Sequence, residues 1–140
     1  MKTNLFRATL FTLLTILVIS CSKDEDSSSS ETNTSTTTTW VKLTTLISAG
    51  IVKPNYKVIM FSTQPTTNTP LPTILKEVTT DANGLAYFDL NSMITDTTPT
   101  TYYFESFTTY LSVGYVWKSV SHFNVSLIKG SIVTSSILVN

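Results

Sequence analysis

Thr80-Asp81-Ala82-Asn83-Gly84-Leu85-Ala86-Tyr87-Phe88 is the stretch that decides the fold class. Asn83-Gly84 lies between two β-rich runs, and an Asn-Gly pair supplies the positive φ angles that a tight reversal between strands needs. Asp81 is placed to accept backbone N–H bonds inside the turn. After it, Ala86, Phe88 and Leu90 fall on one parity and Tyr87 and Asp89 on the other, so residues 85–90 read as a strand with the first set toward a core. On this reading Asp81, Asn83 and Gly84 make a hairpin turn back to a strand over residues 73–80, whose Lys76-Glu77 pair suits a sheet edge.

Working outward, Val41, Leu43, Thr45 and Ile47 alternate with Lys42, Thr44 and Leu46, a half-buried strand that Ala49-Gly50 ends. Pro54-Asn55 marks a turn before residues 56–61, a run so apolar that it reads as a central strand. Residues 63–72 hold three prolines and must be a loop. Toward the C-terminus, strands are expected over residues 101–109, 115–128 and 131–139, with Tyr115, Trp117, Phe123, Val125 and Leu127 facing the core. The sum is an all-β chain, one Greek-key β-sandwich of six to seven strands.

Gly50, Val58-Ile59-Met60-Phe61 and the 80–88 stretch together resemble the pattern of transthyretin-like and carboxypeptidase-regulatory-like β-sandwich domains, which are immunoglobulin-like in build. Unrelated binding and spacer modules share such patterns. The resemblance therefore implies a fold and leaves activity open.

Ahead of the domain the chain changes character. Residues 8–19 (ATLFTLLTILVI) are an apolar run behind Lys2 and Arg7, too short to span a bilayer comfortably, and they read as a secretion signal with a cleavage point. Val18-Ile19-Ser20-Cys21 resembles the lipobox of bacterial lipoproteins. That resemblance implies diacylglycerol on the Cys21 thiol, cleavage between Ser20 and Cys21, and acylation of the new N-terminus, so the membrane becomes a partner through lipid. Ser22-Lys23-Asp24-Glu25-Asp26 resembles the surface-export signal of Bacteroidota lipoproteins, which implies display on the cell surface; the alternative is a solvated spacer. Residues 27–39 are almost wholly Ser and Thr, a flexible tether. The expected organisation is a leader over 1–20, a lipidated N-terminus and linker over 21–39, and a β-sandwich over 40–140.

Composition narrows the functional classes. Removing Lys2 and Arg7 leaves seven basic residues against nine acidic ones, without arginine or a basic stripe, so nucleic acid is not an expected partner. The single cysteine is assigned to lipid, which leaves no disulfide and no thiolate site. His122 is the chain's only histidine and falls on a polar parity with Lys118 and Asn124, where it reads as a surface residue rather than a catalytic base. Glu77, Asp89 and Glu105 read as solvated strand charges, and no cluster of ligating residues calls for a metal or other cofactor. Asp81-Ala82-Asn83-Gly84 lacks the further oxygen ligands of a calcium loop.

What remains is aromatic. Trp40, Tyr87, Tyr102 and Tyr103 are candidate glycan contacts, since a sugar's C–H surface packs on flat rings. The expectation is thus a non-enzymatic outer-membrane lipoprotein, surface-exposed, with a binding or structural role toward a protein or envelope polymer. The alternative is a glycan-binding accessory of a polysaccharide-uptake system.

Overall fold

The strand pattern is realised as eight strands in two sheets: β1 (Trp40–Leu46), β2 (Lys57–Phe61), β3 (Ile74–Thr79), β4 (Leu85–Asp89), β5 (Thr100–Tyr110), β6 (Gly114–Trp117), β7 (Phe123–Leu127) and β8 (Ile132–Leu138). The structure is a computed structural model that describes residues 37–67, 69–111 and 114–140. The expected leader, Ser20, Cys21, the 22–26 cluster and most of the tether lie outside the described residues.

One sheet runs β4-β1-β8 and the other β3-β2-β5, with β5 long enough to pair β7 along its first half and β6 along its second. The connections β1–β2, β3–β4, β4–β5 and β7–β8 cross between sheets, so spatial neighbours such as β1 and β8 are far apart in sequence. The protein is a β-sandwich.

Alternation along the strands makes the core. Val41 and Leu43 from β1, Val58 and Met60 from β2, Ala86 and Phe88 from β4, Phe104, Leu127 and Ile137 are all fully buried between the sheets. Phe88 and Phe104 meet edge to face across the gap at 5.2 Å. Apart from the smaller Ala86, burying each such side chain stabilises the fold by about 1.5–3 kcal/mol.

β2 is central, as its composition requires, and it is apolar on both parities because both of its faces are covered. Val58 and Met60 face the main core, whereas Ile59 and Phe61 join Phe107 in a second cluster on the outer face of the larger sheet. Leu71, from the proline-rich connection after β2, packs onto that cluster, and Pro65 of the same connection is buried. A small domain thus gains apolar burial from a loop that cannot itself pair.

Two expectations need correction. The turn at Asp81, Asn83 and Gly84 forms, but it is not a hairpin: β3 pairs β2 in one sheet and β4 pairs β1 in the other, so the turn is an arch between sheets. Asp81 Oδ1 accepts from the N–H groups of Asn83 and Leu85 at 2.8 and 2.9 Å, and Gly84 has φ +70° while Asn83 has a negative φ. The longer β1 takes β4 as its partner, so local alternation cannot announce the arch.

The single strand expected over residues 115–128 is two strands, which raises the count to eight. Phe107 sits opposite Trp117 and Phe104 opposite Phe123, so residues 118–122 are inserted against only Glu105 and Ser106. The insert leaves the sheet to reach the end of β8, with Val120 N–H bonding Leu138 O at 2.7 Å and Asn140 N–H bonding Lys118 O at 3.1 Å. It also turns the chain's face over. Phe123 and Val125 pack on the main core as expected, whereas Tyr115 and Trp117 lie on the outer face.

Candidate functional site

The bulge between β6 and β7 creates the most chemically unusual position in the domain. Glu105, in the middle of β5, points to the outer face of the larger sheet beside Ile59 and is fully buried. A carboxyl in such a place is costly unless its oxygens are bonded. Ser119 and His122 from the inserted segment and Gln64 from the connection after β2 surround it. His122 Nδ1 is 2.7 Å from Glu105 Oε1 and Gln64 Nε2 is 3.4 Å from the same oxygen, while Oε2 has no hydrogen-bond partner. Burial pushes the carboxyl above the usual carboxylate range, against the opposing pull of the Ser119 hydroxyl and of His122.

The same insert repairs the backbone it disturbs. The N–H of Ser106 loses a strand partner where β6 ends, and it donates instead to Ser119 Oγ at 2.6 Å. Trp117 Nε1–H donates to Ser119 O at 3.0 Å, which fixes the indole. The indole meets Phe107 edge to face at 5.2 Å and the His122 ring at 6.1 Å.

Two adjoining hollows open on this face and share Trp117, Thr66 and Thr67. One, of about 250 Å³, is lined by Gln64, Pro65, Thr66, Thr67, Trp117 and His122. The other, of about 360 Å³, adds Thr69, Leu71, Phe107 and Tyr115. At its rim Tyr115 donates to Glu77, which also pairs with Lys57. The Glu77 carboxyl sits below its usual range: its partial burial pulls upward, but bonds from Lys57 and Tyr115 together outweigh it. The Tyr115 hydroxyl is correspondingly raised, chiefly by its bond to Glu77.

No family model, curated protein or solved structure matches the chain.

The four aromatic residues singled out from the sequence do not form one platform. Trp40 and Tyr87 meet at 6.1 Å on the outer face of the smaller sheet, tilted by 44°, with the Lys42 ammonium 4.6 Å from the first ring centre and 5.6 Å from the second. Tyr102 packs on the main core and Tyr103 on the outer cluster. His122 is exposed, as its parity implies, but it is tied to a buried carboxylate rather than idle. Glu105 overturns its reading as a solvated edge charge, because β5 is covered on both faces. The neighbours Tyr103, Phe104 and Phe107, apolar on both parities, were the available signal. Among the described residues no three His, Cys, Asp or Glu side chains converge as metal ligands.

The arrangement can bind polar solutes. The buried carboxyl fixes the imidazole: when ionised it accepts from Nδ1–H and leaves Nε2 as an acceptor, and when protonated it donates to Nδ1 and leaves Nε2–H as a donor. The Ser119 hydroxyl lies on the carboxyl side of the ring and already accepts from Ser106 N–H, so it is badly placed to be a nucleophile.

Proposed function

We propose that the protein is an outer-membrane lipoprotein, anchored through lipid on Cys21 and displayed at the cell surface, whose β-sandwich is a non-catalytic binding module. The observation that carries this reading is the place of the only cysteine, directly behind Ser20 at the end of an apolar run and ahead of a charged cluster and a Ser/Thr tether. Two or three acyl chains, at about 0.8 kcal/mol per buried methylene, hold a protein on a membrane almost permanently.

Binding rather than catalysis is favoured by the position of the Ser119 hydroxyl and by the two small hollows flanked by hydroxyls and rings. The immunoglobulin-like or transthyretin-like resemblance belongs to this same proposal, as a scaffold that carries sites on its faces and loops.

Protease treatment of intact cells, followed by detection of the domain, tests display. Loss of the domain without permeabilisation is expected. Its survival until the outer membrane is opened would argue against surface exposure.

A further inference from the structure

Glu105 holds two exposed side chains at once, Gln64 through Nε2 and His122 through Nδ1, and both line the hollow walled by Trp117. With one polar atom of each spent on the buried carboxyl, the remaining amide atoms of Gln64 and Nε2 of His122 are left for a solute. We propose that this groove binds a neutral saccharide, one or two rings of a glycan chain, with Trp117 as the packing surface and Gln64, Thr66, Thr67 and His122 as the hydroxyl-binding set. The proposal rests on the reading of the domain as a binding module and gives that module a ligand class and a place.

Four features select this class. The Trp117 indole is fixed before any ligand arrives, by its bond to Ser119 O and its contact with Phe107, so little side-chain freedom is lost on binding. A flat ring packs the C–H surface of a sugar, while an amide, hydroxyls and an imidazole reach its hydroxyl groups. Among the described residues, neither hollow includes Lys or Arg, which a phosphate or carboxylate ligand would call for. The volumes fall near or below the lower end of the roughly 300–1,000 Å³ of ligand pockets, which suits one or two rings and excludes a large cofactor.

The rival aromatic pair is less suited. At Trp40 and Tyr87 the Lys42 ammonium lies over both rings, on faces that a sugar would need.

The test uses the full chain in detergent. Replacing Trp40→Phe leaves Trp117 as the only tryptophan, so its emission reports the groove. Neutral oligosaccharides of linked glucose, mannose or xylose are titrated, with polygalacturonate as the charged comparison. At least one neutral set is expected to shift the emission saturably. Gln64→Ala and His122→Ala should each weaken that binding by about tenfold, the loss of one hydrogen bond, and Tyr87→Ala should leave it unchanged. Gln64 and His122 are exposed, and each single replacement leaves Glu105 Oε1 the bond from the other; circular dichroism checks that each variant folds. The proposal is overturned if no neutral set gives a saturable response, if polygalacturonate binds better, if binding survives both replacements, or if it depends on Tyr87. None of these outcomes touches the lipid: a lipidated chain blind to sugars sinks the groove alone, and an unlipidated chain that binds them sinks the anchor alone.

Discussion

His122 Nδ1 lies 2.7 Å from Glu105 Oε1, and the bond joins an imidazole whose side chain is 58% exposed to a carboxyl that is 0% exposed. One end of the pair faces water and the other sits in the outer apolar cluster.

The first consequence is a stability that depends on pH in an unusual direction. Burial holds the Glu105 carboxyl above its ordinary value of 4.5, so the folded state keeps a proton that the unfolded chain releases. The stabilisation is therefore complete below that value and is lost as pH rises through the folded-state value. E105Q cannot ionise, so its midpoint of thermal unfolding should gain on the parent's between pH 4 and pH 8. Making the comparison in a His122→Ala background keeps the imidazole out of the difference. A difference that stays flat with pH would show that Glu105 is solvated.

The outer cluster should matter as much as the main core. Phe107 is 1% exposed and touches Phe61, Tyr115 and Trp117, so Phe107→Ala should cost about 3–5 kcal/mol in denaturant unfolding. Tyr110, three residues on in β5 and 65% exposed, should cost within about 0.5 kcal/mol when made alanine. Equal effects at the two positions would mean that the connection after β2 does not cover the sheet.

The arch at residues 81–84 makes a third demand. Gly84 has φ +70°, and a Cβ there would stand 2.9 Å from Thr45 O, an oxygen already accepting from Lys53 N–H. Gly84→Ala adds left-handed strain of about 1–2 kcal/mol to that close approach. It should lower the thermal midpoint by several degrees, about 4–8 °C per kcal/mol in a domain of this size. An unchanged midpoint would show that the turn opens freely.

How far the sequence disclosed this structure differs from strand to strand. Alternation located β1 and β4 and their buried faces correctly, because each has one face on the core and one in solvent. It also marked the two-sided burial of β2. It could not say that the strands on either side of Asn83-Gly84 belong to different sheets, since an Asn-Gly pair can serve a hairpin or an arch, and the choice rests on distant β1. Nor could parity survive residues 118–122, where five residues against two reverse the face. Glu105 was misread for a related reason: a charge looks solvated until the loop that roofs it is in place. Of the candidate site, His122 was visible as a lone polar ring, but its partners come from β5 and from the connection after β2, and only folding gathers them.

Mass spectrometry of the N-terminal peptide from the native protein tests the membrane anchor, on which the functional reading depends, most directly. The mature chain should begin at Cys21, carrying diacylglycerol on the thiol and an acyl group on the amine, and Cys21→Ser should abolish both. A free Cys21 thiol, or a peptide that still carries residues 1–20, would contradict it.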